Sequence, residues 1–182
     1  MKNENPVLSR KQIDHVMSLY TQGKFEEAIG QIKALNESYP NVPLLFNLIG
    51  ACYREVGHLD GSIQMFKAAI QIKPNYAEAF FNLGFALKEK GNIDESIESY
   101  KKAILIQPNY PDAYNNLGNI LKDDKKDFSP VGMKTILEEL NISYSTLYRY
   151  CKYKGFPHYR IQGSNKKFSN NFPFFLWITH SF

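Results

Sequence analysis

Gly23, Gly57 and Gly91 fall one 34-residue period apart, and the chain can be laid over itself at that period with residue classes preserved. Ala28, Ser62 and Ser96 share one offset, and Ile32, Phe66 and Tyr100 another; Leu35, Ala69 and Ala103 follow, and Pro40, Pro74 and Pro108 close the pattern. A period of this length encodes a unit of two helices, which is too small to bury its own apolar face. Such units must stack on one another, and stacking creates a long surface suited to partners rather than a closed pocket suited to chemistry.

Within each full period the apolar spacing is helical on both sides of the glycine. In the third, Phe80, Leu83 and Leu87 lie on one face of a helix over 77–90, with Gly84 beside them. Gly91 ends that helix, because a residue free to take positive φ satisfies the last carbonyls without strain. Asp94 is placed to begin a second helix that carries Ile97, Tyr100, Ala103 and Ile104 inward. Pro108 then forbids continuation and opens the next unit.

These residues resemble the tetratricopeptide repeats, TPRs, over roughly 9–122. Phe46-x-x-Ile49-Gly50-x-x-Tyr53, Phe80-x-x-Leu83-Gly84-x-x-Leu87 and Tyr114-x-x-Leu117-Gly118-x-x-Leu121 match the first-helix pattern of that family, and the four columns above match its second helix. The first unit departs, with Gln12, His15 and Val16 where the others have an aromatic, an aliphatic residue and glycine, as suits a terminal repeat with one face in water. The expected organisation is an N-terminal tail (1–8), an array of units 9–42, 43–76 and 77–110 with a closing helix 111–122, a charged linker (123–128) and a separate basic module (129–182). In the family the first helices line a concave groove. Carried over, the groove residues are Asn47 and Arg54 in the second unit, Phe81, Asn82, Phe85 and Lys88 in the third, and Asn115, Asn116 and Asn119 in the fourth. An asparagine amide donates and accepts at once, so Asn82 and Asn116, one period apart, would hold an extended peptide with little regard for its sequence. Plain solvated surface is the competing role for these asparagines, and packing against a neighbouring helix the competing role for Phe81; Phe85 is the better candidate for an exposed anchor.

Charge divides the chain at the same place as the period. Residues 1–124 carry 13 Lys+Arg and 15 Asp+Glu, a net of −2, whereas residues 125–182 carry 9 and 3, a net of +6, and no acid follows Glu139. Such asymmetry points to a polyanion as partner of the basic part. Met133, Ile136, Leu137 and Leu140 space out one short helix and 145–154 a second, followed by an alternating stretch at Tyr159-Arg160-Ile161 and a turn at 162–165. The string Leu140-Asn141-Ile142-Ser143-x-Ser145-Thr146-Leu147-Tyr148-Arg149-Tyr150, with Gly155-x-Pro157 and Gly163 after it, resembles the winged helix-turn-helix domains of the excisionase and MerR-like group. That resemblance implies double-stranded DNA as a partner, with Tyr144, Ser145, Thr146 and Arg149 at base edges or phosphates and Lys152, Lys154, Arg160, Lys166 and Lys167 neutralising phosphates. The closing stretch departs from that group, because Pro173 stands inside it. The aromatics of this part, Trp177 among them, are read mainly as its core; stacking on single-stranded nucleic acid and a membrane-surface role for 172–178 are the alternatives.

No catalytic constellation is legible. His15, His58, His158 and His180 are scattered, and no glycine-rich phosphate loop precedes a helix. Cys52 and Cys151 lack metal-ligand or C-x-x-C spacing and read as reduced thiols of a cytoplasmic chain without metal or cofactor. The expected fold is mainly α, a TPR solenoid of antiparallel helix pairs followed by a small winged helix-turn-helix domain. The expected function is a non-enzymatic adaptor that holds a protein or peptide in its groove and DNA on its basic module. The alternatives are a pure protein-interaction module with a C-terminal cap, or the front end of a larger TPR transferase.

Overall fold

The repeated glycines set the register of the helices through one recurring turn. A computed structural model describes residues 8–123, together with Glu138. Gly23, Gly57 and Gly91 adopt φ of 74°, 78° and 89°, the left-handed region that a side chain resists. Their N–H groups donate to the carbonyls of Tyr20, Arg54 and Lys88 at 3.0, 2.9 and 3.0 Å. The next residues, Lys24, His58 and Asn92, donate to Leu19, Tyr53 and Leu87 at 3.0, 2.8 and 2.9 Å. This paired closure is the Schellman motif, formed three times at one period.

Seven α-helices and no strand occur among the described residues: α1 Arg10–Thr21, α2 Phe25–Ser38, α3 Pro43–Glu55, α4 Leu59–Ile72, α5 Ala77–Lys90, α6 Ile93–Ile106 and α7 Pro111–Asp123. Ser9 caps α1 in a capping box with Gln12. Pro43 and Pro111 occupy first-turn positions of α3 and α7, where a missing N–H costs nothing. The second helices end alike: Tyr39, Lys73 and Gln107 donate to Leu35, Ala69 and Ala103 at 2.8, 2.9 and 2.9 Å, and each precedes a proline, which bars the helical conformation at the residue before it. Asn92 stands before α6, and Asp94 lies in its first turn.

Each helix packs on its neighbours in sequence, and α3 also reaches α5, which is the contact pattern of a TPR-like solenoid. Small residues on the first helix of a pair receive large ones from the second. A Cβ added to Gly50 would lie 2.6 Å from Cε1 of Phe66, and one added to Gly84 would lie 3.0 Å from Cδ1 of Tyr100. Both rings are 0% exposed. The Ser96 hydroxyl donates to the Gly84 carbonyl at 2.6 Å and ties the same two helices. The first pair solves the problem with other volumes: Val16 takes the glycine offset and Ile32 the aromatic one, and both belong to one buried cluster of α1, α2 and α3. The sequence departure there is a matched exchange of size.

The fit at Gly50 is testable against a control. Gly50→Ala is expected to lower stability by about 1–3 kcal/mol, as overpacking does. Gly30→Ala, at an exposed helical site where a Cβ meets nothing within 4 Å, is expected to raise it by roughly 0.5–1 kcal/mol. Urea denaturation of both variants checks the pair, and equal tolerance would remove the close approach as the determinant of spacing.

Candidate functional site

The first helices of successive pairs, α1, α3 and α5, are stitched by side chains that cross from one to the next. The Tyr20 hydroxyl on α1 donates to Glu55 Oε1 on α3 at 3.1 Å. Arg54 donates to the same oxygen at 2.5 Å, and its guanidinium lies 4.7 Å from the Phe85 ring centroid on α5. Phenylalanine, arginine, carboxylate and tyrosine thus form one chain over three helices. The Arg54 hydrogen bond holds the Glu55 carboxyl below its ordinary range against the opposing effect of burial. Burial, with the Glu55 charge second, raises the Tyr20 hydroxyl.

Asn47, expected at the groove surface, is 2% exposed. Its Nδ2 donates to Glu78 Oε1 at 3.2 Å, and its Oδ1 accepts from Asn82 Nδ2 at 3.1 Å. Both ends of the amide are thereby engaged with α5. Asn47 thus lies in the seam where α3 and α5 approach closely enough for their polar side chains to meet.

The remaining expected groove residues differ in exposure. Phe81 is half-buried, with its ring centroid 5.0 Å from that of Tyr110 and 5.7 Å from that of Tyr100. Phe85 and Lys88 are half-buried, Asn116 is half-buried and Asn119 is exposed. Asn115 is 7% exposed, and its Oδ1 has no hydrogen-bond partner. Tyr76 and Tyr110, one period apart, have hydroxyls pushed up to about 12, by burial first; Glu78 adds to this at both, and Asp112 adds to it at Tyr110. Glu78 and Asp112 are themselves one period apart and exposed. The carboxylates and rings therefore share one stretch of the wall, an association that the groove positions did not include although its 34-residue recurrence is visible in the sequence.

Other chemistry is sparse. Cys52 is a buried free thiol, pushed up to about 11 by burial, and so is a poor nucleophile. Among the described residues no group of three or more His, Cys, Asp or Glu stands where it could hold a metal, and no helix is long and apolar enough to cross a membrane. A cavity of about 290 Å³ opens beside Gln12, His15 and Val16 of α1 and Gln31 and Leu35 of α2. The winged helix-turn-helix, with Tyr144, Ser145, Thr146, Arg149, Lys152, Lys154, Arg160, Lys166 and Lys167, lies outside the described residues, as does Cys151.

Comparison with known proteins bears on the helical part. Residues 50–91 and 86–124 match the model of the TPR repeat. Residues 50–124 carry tetratricopeptide repeats. The match begins at Gly50, so α1 and α2 fall outside it, where the sequence departs from the pattern. Comparison with curated protein sequences gives no match. Among solved structures, MamA from Desulfovibrio magneticus RS-1 is 17% identical with a TM-score of 0.60, covering 79% of this chain and 75% of its own. The second TPR domain of human RPAP3, in complex with the HSP70 peptide SGPTIEEVD, is 21% identical with a TM-score of 0.56, covering 60% of this chain and 91% of its own. The first TPR of Spaghetti (RPAP3), bound to the HSP90 peptide SRMEEVD, is 22% identical with a TM-score of 0.59, covering 64% and 95%. At these identities the likeness establishes the fold.

Two measurements test the seam. Asn47→Ala strands the Asn82 and Glu78 groups and is expected to cost about 1–3 kcal/mol in denaturant unfolding. Glu55 has a depressed folded pKa, so its contribution is present above the unfolded value and is lost as pH falls through the folded one. Glu55→Gln is accordingly expected to narrow the difference in melting temperature between neutral and strongly acidic buffer. An unchanged difference would separate the Arg54–Glu55–Tyr20 chain from acid stability.

Proposed function

We propose that the chain is a cytoplasmic, non-enzymatic interaction module that holds an extended segment of a protein partner along the wall formed by α1, α3, α5 and α7. The observation that supports this most is the half-buried aromatic shelf of Phe81 and Phe85 on α5, beside amides on α7 at Asn116 and Asn119 that are not sunk in the core. A shelf takes apolar side chains and the amides take backbone, the two demands of an extended ligand. The repeats of similar fold that carry HSP70 and HSP90 peptides support the mode of binding.

The charges argue for a different ligand from theirs. SGPTIEEVD holds two glutamates and an aspartate. Here Arg54 is already paired with Glu55, and Glu78 and Asp112 stand near the aromatic rings. Like charges brought together at an interface cost affinity, so a ligand bearing cations is favoured beside Glu78 and Asp112, and Lys88 on α5 is left to face at most an isolated acid. A peptide array probed with the full chain is expected to return apolar, basic sequences, with SGPTIEEVD bound at least about tenfold more weakly than these. Phe85→Asp is expected to abolish the signal on the array. An array without binders, or binding indifferent to Phe85→Asp, would defeat the reading.

A second reading rests on the +6 net charge of residues 125–182. Under it, the basic module holds duplex DNA through Arg149 and the lysines around it. A mobility shift by the full chain at low salt, weakened by Arg149→Ala with Lys166→Ala and steeply reduced by added salt, is the expected result. No shift at low salt would exclude it and leave the pure protein-interaction reading alone.

A further inference from the structure

One stripe of α5 carries four side chains of different character. Glu78, Phe81, Phe85 and Lys88 are spaced by three, four and three positions, so they follow one another along a single helical face. From the N-terminal end their order is anion, ring, ring, cation. Glu78 is exposed, and its Oε1 accepts from Asn47 at 3.2 Å, a neutral amide that leaves the carboxylate charge uncompensated. Lys88 is half-buried, and neither it nor Glu78 enters an ion pair among the described residues. Arg54, the cation beside the Phe85 ring, pairs with Glu55 and so adds no net charge to the middle of the stripe. Glu78 lies in the first turn of α5 and Lys88 in the last, the ends at which a helix favours those charges. The arrangement is therefore stable before any ligand arrives.

We propose that this stripe selects an extended partner segment in which one large apolar residue is flanked, two positions away on either side, by a basic residue and an acidic one. The assignment rests on reading the wall as a peptide groove, and it narrows the ligand of that groove. Glu78 and Lys88 are ten positions apart, which is about 15 Å along a helix. An extended chain turns every second residue to one face and covers about 13 Å over four residues, a span that long charged side chains extend to both ends of the stripe. The base then meets Glu78, the acid meets Lys88, and the apolar side chain between them lies across Phe81 and Phe85. Either chain direction satisfies the stripe, which fixes the order of the charges and not that of the peptide bonds. A segment basic at both places would set a cation against Lys88. One acidic at both would set a carboxylate against Glu78, and like charges so placed cost affinity.

Three fluorescein-labelled peptides test this by anisotropy with the full chain. Each has tryptophan at the centre of a glycine and serine background. The first has lysine two positions before the tryptophan and glutamate two positions after it, the second has lysine at both places, and the third glutamate at both. The mixed peptide is expected to bind about fivefold more tightly than either companion, with the preference shrinking as salt is raised. Lys88→Glu is expected to transfer the preference to the doubly basic peptide, and Glu78→Lys to the doubly acidic one; circular dichroism checks the helix content of each variant. The milder Lys88→Met is expected to bind the mixed and doubly basic peptides alike. Glu78→Gln, which keeps an acceptor for Asn47, is expected to bind the mixed and doubly acidic peptides alike. A wild-type preference for either companion, or a mixed peptide bound as tightly by Phe85→Asp, overturns the proposal. A chain that is dimeric in sedimentation and binds the mixed peptide only on dissociating assigns the stripe to a second copy and also overturns it. Where array peptides bind through Phe85 but these three are bound equally or not at all, the charge order fails and the groove stands; where no array peptide binds either, both fail.

Discussion

The arrangement depends on how closely the two helices of a pair approach. At Gly50 and Gly84 the absence of a Cβ lets the rings of Phe66 and Tyr100 lie on the backbone of the facing helix, at a distance where a Cβ would collide at Gly50 and be tightly crowded at Gly84. The rings are then fully buried, and each can be buried only if the glycine surface meets it. The consequences pass outward from there. Tyr100 buried at that depth becomes the backing for Phe81, 5.7 Å away, and Phe81 in turn meets Tyr110 on the approach to α7. A wider pair would leave voids under the rings, and interiors do not tolerate voids of that size without loss of stability. Spacing within pairs thus decides what the wall of first helices presents.

Much of this was legible because the decisive residues are of types with few alternatives. Only glycine sits easily at φ near 80°, so three glycines one period apart announce three identical turns. Proline after the second helix is equally unambiguous. The helix over 77–90 was readable to its ends for these reasons, with Gly91 as its cap. Less was legible where a role can be filled in several ways. Val16 with Ile32 does the work of glycine with an aromatic ring, and a column of residue types sees only a departure. The start of α6 follows from the Gly91 motif, which places Asn92 before the helix and Asp94 in its first turn.

The wall was harder to read than the stack. Asn47 and Asn116 are the same amino acid on equivalent helices, yet one is 2% exposed with both amide ends engaged and the other is half-buried on α7. What separates them is the neighbour: Asn47 has Glu78 and Asn82 beside it on α5. Helical spacing fixes the face on which a side chain lies, but the contacts between helices decide whether that face is free. The Tyr20–Glu55 bond is hard to read for a related reason: the two are 35 residues apart, and although Glu55 recurs one period on as Glu89, Tyr20 has Arg54 at its equivalent position. By contrast, the recurrence of Tyr76 at Tyr110 and of Glu78 at Asp112 was open to view. It was obscured by the ordinary preference for acids in the first turn of a helix, which explains these carboxylates without reference to a ligand.

Both explanations hold together, and their combination limits the ligand. Glu78 and Asp112 are both exposed, and each lies in the first turn of its helix. Arg54 is different in kind. Its guanidinium is held by Glu55 on one side and Phe85 on the other, so an incoming carboxylate would have to displace an anion fixed on the adjacent residue of the same helix. The adjacent anion acts at an effective concentration that a dissolved peptide does not reach. On the proposed reading an acidic group would meet Lys88, half-buried on the same helix as Phe85, rather than Arg54. The same reading gives the apolar shelf a contribution that grows with the area of the side chain laid on it.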